Sequence, residues 1–310
     1  MERTEYKGWP NCYRLANGLV DLVVTTDVGP RIIRFGRVGG ANQFKEYEET
    51  LGATGGSEWR IYGGHRLWHA PEEWPRTYYP DNSAVQIERA GDAVRLIQPT
   101  EPTTGIQKEM DVQLSLDAAA ARVTHRLRNN NPWAVELAPW ALSVMAPGGN
   151  AIIPLPPRQT HAENLCPVST IILWAYTDLS DPRFTWGHRF VLVRQVPKAE
   201  TPQKVGAAVP DGWIAYARDG QLFVKQFDYH RAAPYPDLGA CAEVWVDAEM
   251  LELETLGPLQ LLPSGGAVEH VEKWFLIDGV KVPATEADVV AHVLPRVQET
   301  FRTAHSFAEP

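Results

Sequence analysis

Two stretches of this chain carry side chains able to do chemistry. The first is Gly63-Gly64-His65-Arg66-Leu67-Trp68-His69-Ala70-Pro71-Glu72-Glu73-Trp74-Pro75, which gathers two imidazoles, a guanidinium, two indoles and two carboxylates. Imidazole exchanges protons near neutral pH, and an indole face packs against the C–H face of a sugar ring or another flat ligand. The glycines and prolines argue against a regular helix, so the segment reads as a loop built to meet a ligand. The same residues could instead plug a hydrophobic core.

The second is Cys241 to Pro258, CAEVWVDAEMLELETLGP. Period-two alternation puts Glu243, Trp245 and Asp247 on one face of a strand, and Glu252 and Glu254 on one face of the next, opposite Leu251 and Leu253. Acidic side chains thus line a sheet face, either the solvated side of an edge sheet or the floor of a cleft. Lys225 lies shortly before and is the cation expected to approach those carboxylates. Such pairing keeps a glutamate ionised and competent as a base.

Around these stretches the chain reads as strands. Runs at 18–25, 31–35, 84–88, 93–98, 110–116, 121–128 and 134–145 are rich in Val and Ile and bounded by Gly, Pro, Asn or Asp, the pattern of antiparallel sheets. The second half continues at 171–176, 190–196, 213–217, 222–227, 242–246, 251–256 and 268–277. Asn129-Asn130-Asn131-Pro132 and Asp219-Gly220 read as hairpin turns. Only 285–302 has helical spacing, with a capping Thr285 and a kink or break expected at Pro295.

The 310 residues, with no fixed-period repeat, suit one large sandwich better than two domains. A chain this long buries about 75% of its unfolded surface and needs no disulfide or metal to be stable. The three cysteines, Cys12, Cys166 and Cys241, lack the paired spacing of a zinc or redox site and read as reduced thiols. The net charge of −9 and the absence of a Lys/Arg block argue against nucleic acid, and no apolar run is long enough for a membrane span. A charged N-terminus without an apolar core favours a cytoplasmic location. Eleven tryptophans, with 24 glycines and 25 prolines, describe a turn-rich chain with large aromatic surfaces. No HExxH, GxSxG or phosphate-binding glycine loop is present, and nothing in the sequence calls for a metal or cofactor. Glutamates at i and i+2 on one strand lie about 7 Å apart and point the same way, so they do not flank a glycosidic bond as hydrolysis requires.

The run Leu251 to Ile277 resembles the C-terminal part of aldose 1-epimerases, the galactose mutarotases and their relatives. The resemblance rests on Leu253-Glu254-Thr255, the turn at Pro263-Ser264-Gly265 and the aromatic pair Trp274-Phe275. The Gly-Gly of 63–64 with Pro71 resembles the hexose-phosphate epimerase branch, and WALSVMAPGG at 140–149 fits the same superfamily. Strand order extends the likeness over residues 10 to 282.

The resemblance implies an all-β fold, a β-supersandwich of two large antiparallel sheets over 1–282, with a C-terminal helical extension over 283–310. It implies Glu254 as the base that takes the anomeric proton while a histidine protonates the ring oxygen. The chain departs from the family here, because the histidine position falls near Trp140. His65 is the first choice of replacement acid, and Arg66, His69, Trp140, Lys225 and Glu243 are the expected substrate-binding residues. The implied activity is interconversion of the anomers of a free sugar or sugar derivative, by a monomer or homodimer. The alternative is a carbohydrate-binding or sensing protein that keeps the cleft without the second proton-transfer group.

Overall fold

The computed structural model describes residues 1–303. The first sheet has eleven strands. In hydrogen-bonded order these are β1 (Glu2–Tyr6), β2 (Trp9–Ala16), β3 (Val20–Thr25), β4 (Arg31–Arg37), β5 (Gly64–Ala70), β10 (Val135–Met145), β19 (Leu251–Leu256), β18 (Ala242–Val246), β15 (Gln203–Ala207) and β12 (Ile171–Leu173), with β20 (Gln260–Leu262) also paired to β10. The second sheet has ten, ordered β13 (Phe184–Trp186), β14 (Phe190–Arg194), β11 (Asn150–Pro154), β16 (Trp213–Arg218), β17 (Gln221–Phe227), β21 (Ala267–Asp278), β9 (Ala120–Asn129), β8 (Ile106–Leu114), β7 (Ala93–Ile97) and β6 (Gln86–Ala90). Both sheets draw strands from the two halves of the chain, and their strands pair antiparallel, in keeping with the alternating sequence.

The main core lies between the sheets. Leu67, Leu251, Leu253, Val244 and Val205 enter it from the first sheet, and Val123, Leu127, Phe223 and Trp274 from the second. Phe35, Phe44, Phe223 and Trp274 meet edge to face with ring centroids 5.5 to 6.0 Å apart, the arrangement the ring quadrupole favours. The residues that alternate with this core on β5, β10, β18 and β19 point to the outer face of the first sheet. They carry the candidate chemistry described below.

Two expectations are corrected. The 63–75 segment is not a loop for most of its length, since β5 is a fully buried central strand. Its glycines serve the strand's entry. Gly63 and Gly64 have φ of 79° and 72°, and a Cβ at Gly64 would lie 2.4 Å from the Ile32 carbonyl oxygen. The Asn129–Pro132 turn is not a hairpin either, because β9 pairs with β8 and β21 while β10 pairs with β5, β19 and β20. It carries the chain from one sheet to the other. The Asp219-Gly220 hairpin between β16 and β17 forms as expected.

The C-terminal helical segment starts at Thr285, whose hydroxyl and the Asp288 carboxylate form a reciprocal capping box. Around the predicted break the chain makes a π-helical turn over Val289–Val293 before the α-helix Leu294–Thr303. Pro295 has no N–H to donate back to the preceding turn, which accounts for the irregularity. Val289, Val293 and Val297 bury against the outer side of the second sheet.

Candidate functional site on the outer face of the first sheet

Strand register fixes which side chains can meet. Glu254 pairs with Leu142 on β10, which pairs in turn with Arg66 on β5; on its other side Glu254 pairs with Glu243 on β18. Directly paired residues share a face, so Arg66, Glu254 and Glu243 lie in one row across the sheet. Trp68, Trp140, Glu252, Trp245 and Lys204 occupy the adjoining positions on that face.

The row is knit by one ammonium. Lys204 Nζ lies 2.7 Å from Glu243 Oε2 and 3.1 Å from Glu254 Oε2, and it sits between the rings of Trp140 and Trp174 at 4.7 and 4.6 Å. The indole Nε1 of Trp140 donates to Glu254 Oε2 at 2.8 Å. Beside them the Arg66 guanidinium packs 4.4 Å from the Trp68 ring and donates through Nη2 to Glu252 Oε1 at 2.7 Å. The turn after β12 closes over Lys204, with Thr177 donating its hydroxyl to the Lys204 carbonyl.

Burial and charge split the two carboxyls. Glu243 and Glu254 are both completely buried. Desolvation pushes Glu243 well above the usual carboxylate range, Lys204 opposes it, and the Glu254 charge raises it further. Desolvation also raises Glu254, but Lys204 and the Trp140 N–H stabilise its ionised form. Burial alone would lower Lys204; its two glutamates instead hold it above its ordinary value. The arrangement favours one carboxylate and one carboxylic acid about a permanent cation.

Several buried polar atoms on this face have no hydrogen-bond partner: Glu254 Oε1, Glu243 Oε1, and Arg66 Nε and Nη1. Buried polar groups are otherwise paired in nearly all cases, so a concentration of unpaired ones on a single face sets this row apart from ordinary packing.

The remaining sequence candidates lie elsewhere. His65 pairs with Ser143, one position along from the Arg66–Leu142 pair, and therefore points to the opposite face, into the space between the sheets. There the histidine is fully enclosed, with Nδ1 2.8 Å from the Ser143 hydroxyl and Nε2 2.6 Å from His125 Nε2. Burial and the nearby Lys225 charge hold its pKa well below the ordinary value. Pairing His65 with Glu254 as acid and base is therefore corrected, because the sheet itself stands between them.

Lys225 is corrected for the same reason. It belongs to β17 of the second sheet and donates to Glu272 Oε1 at 2.8 Å and to the Leu253 carbonyl at 3.0 Å, inside the sandwich. Trp274 Nε1 and the Thr255 hydroxyl also donate to Glu272. The ligand atoms of His65, His125 and Glu272 lie within 4.8 Å of one another, close enough for a metal ion. Each is already engaged within the protein, and the Lys225 ammonium neutralises the carboxylate, so the group reads as a hydrogen-bonded core network.

His69 likewise faces inward. It stands 3.7 Å from Glu101, whose carboxylate makes a 2.6 Å ion pair with Lys108. Lys204 is the member of this cluster that sequence reasoning missed. It follows the loop-like PKAETPQ, and β15 carries no strong alternation to reveal a cation aimed at the acidic strands.

No family model and no curated protein match the chain by sequence. Solved structures do match it in shape. A galactose mutarotase-like protein from Lactobacillus casei superposes with a TM-score of 0.55 at 10% identity, covering 86% of this chain and 100% of that one. A galactose mutarotase related enzyme from Lactobacillus acidophilus gives 0.51 at 8% identity, covering 88% and 99%. A protein from Synechocystis sp. PCC 6803 gives 0.57 at 11% identity, covering 90% and 100%. With its two large antiparallel sheets and these matches in shape, the chain has the galactose mutarotase-like fold.

Proposed function

We propose that this protein interconverts the anomers of a free sugar on the outer face of the first sheet, with Glu254 as base and Glu243 as acid. The carrying observation is the row of unpartnered buried atoms, Glu254 Oε1, Glu243 Oε1 and Arg66 Nε and Nη1, beside the Trp68 and Trp140 rings.

The chemistry follows from the unequal carboxyls. Ionised Glu254 takes the proton of the anomeric hydroxyl while protonated Glu243 gives one to the ring oxygen, so the C1–O bond of the ring breaks and an aldehyde forms. Rotation about C1–C2 and the reverse transfers close the other anomer. Both reacting oxygens are bonded to one carbon, which suits a base and an acid on adjacent strands. Each transfer is worth about 10² to 10⁴-fold. Pairs of titratable groups driven apart by their surroundings are the usual way to hold base and acid at one pH. Arg66 offers two free donors in a planar fork for the sugar's hydroxyls.

A second reading, sugar binding without catalysis, is favoured by Trp140. It stands where the family resemblance expects a histidine, and an indole N–H donates without exchanging protons. Exchange NMR on freshly dissolved anomers of glucose and galactose tests the proposal. Acceleration that disappears in Glu254→Gln supports the enzyme, whereas saturable binding without acceleration in wild type supports the binding protein.

A further inference from the structure

A large cavity lies apart from Glu243 and Glu254, neither of which lines it. It has a volume of about 990 Å³ and opens at the end of the sandwich, among the loops that follow β5 and flank β8 and β10. Trp59, Trp74, Tyr78, Tyr79 and Trp133 line it, and His69 contributes to its wall from β5.

Three observations separate this cavity from ordinary packing space. Trp74 and Trp133 are 70% and 63% exposed and present two indoles to the same cavity. His69 is only 1% exposed, yet neither ring nitrogen has a hydrogen-bond partner; Glu101, the nearest carboxylate, stands at 3.7 Å. Trp59 Nε1 and Arg76 Nε are likewise buried and unpartnered. A lining that combines broad aromatic faces with orphaned donors and acceptors calls for a ligand with apolar faces and many hydroxyls.

Charge narrows the class. Burial lowers His69 and keeps it neutral, and Lys108 already holds the Glu101 carboxylate. The remaining formal charges on the lining, Glu58 and Arg76, are opposite in sign. A flat hydrocarbon would leave His69 and Trp59 Nε1 unsatisfied, and an ionised ligand would find no net countercharge. The volume stands at the upper end of the roughly 300–1,000 Å³ of small-ligand sites, which gives room for more than one ring. We infer that this cavity is a second carbohydrate site, taking a neutral di- or oligosaccharide stacked on Trp74 and Trp133 with its hydroxyls on His69 and Trp59. The cavity adjoins the end of the Glu254 row without including its carboxyls: Trp59 lines it and lies 5.8 Å from the Arg66 guanidinium, and Trp59 and Tyr78 pack against Trp68 with rings 5.0 to 5.6 Å apart. The inference does not depend on catalysis at Glu254.

Tryptophan fluorescence and saturation-transfer NMR with the full-length protein, using lactose, cellobiose and maltotriose against the aromatic control indole, test this site. The expected result is a saturable response to at least one saccharide. Trp133→Ala and Trp74→Ala, both at exposed loop positions, should each weaken it about tenfold, the loss of one ring contact worth roughly 1.4 kcal/mol. A response to indole alone, or to no saccharide at millimolar concentration, overturns the inference. So does a saccharide response that vanishes in Glu254→Gln while both tryptophan variants respond like wild type, since the ligand would then sit on the Glu254 row instead.

Discussion

Glu243 and Glu254 face each other directly across β18 and β19, and both reach the same ammonium, that of Lys204. Two completely buried carboxyls share a single cation, so they cannot behave alike. That inequality sets the pH behaviour, the stability and the chemistry of the outer face.

The rate of anomer interconversion should follow a bell-shaped pH profile. Glu254 must be ionised, so activity falls as pH drops through its raised pKa; Glu243 must be protonated, so activity falls again as pH rises through its more strongly raised one. Because the carboxyls interact, the two limbs report the pair rather than either residue. Glu243→Gln should remove the alkaline limb and lower the rate by about 10² to 10⁴-fold. A wild-type profile in that variant would refute the assignment of the acid.

Lys204→Met should destabilise the fold by about 3–5 kcal/mol, since it strands buried carboxyls without their cation. Combining it with Glu243→Gln should recover part of that loss. Urea unfolding of the single and double variants measures the coupling, and strictly additive effects would contradict a shared cation.

The interior network predicts acid sensitivity well above the usual carboxylate range. Burial lowers His65 and His125, and it brings His270 down to about 3. Between those folded values and the unfolded value near 6.5, the unfolded chain binds the extra protons, so stability falls as pH drops below about 6.5. Each histidine contributes up to about 1.4 kcal/mol per pH unit. Glu272, which burial alone would raise, is held below its ordinary value chiefly by the Lys225 charge, so its contribution is lost only at lower pH. Denaturant unfolding from pH 7 to pH 4 should show this slope, and a flat profile to pH 5 would count against neutral buried imidazoles.

The three thiols should separate cleanly in a native titration with a disulfide reagent. Cys166 is exposed, whereas Cys12 and Cys241 are buried and their pKa values are pushed up to about 11 and about 12 by desolvation. One equivalent should react in the folded protein and three after unfolding.

Much of the fold was legible because side-chain alternation reports strands directly. The acidic face of Glu243, Trp245, Glu252 and Glu254 followed from period two alone and recurs in the cross-strand register. The long-range partners were less accessible. Nothing local in Asn129–Pro132 says whether the strands it joins pair with each other or with distant ones, and nothing around Lys204 says that β15 lies beside β18. Gly63, Gly64 and Pro71 misled because turn-forming residues at both ends of a strand resemble those inside a loop. The reading of this segment as a plug in the core agrees with the full burial of β5, but which layer each histidine faces depends on the sheet the strand joins.

β5 gives its even-numbered side chains, Arg66 and Trp68, to the outer face, and its odd-numbered ones, His65 and His69, to the interior and the end cavity. One seven-residue ribbon is thereby a partition wall serving two rooms. An inserted residue at its midpoint would swap the occupants of both, pressing a guanidinium into the hydrophobic layer and bringing an imidazole beside the acidic pair. The spacing of this strand, more than any single side chain on it, is what the molecule has least freedom to change.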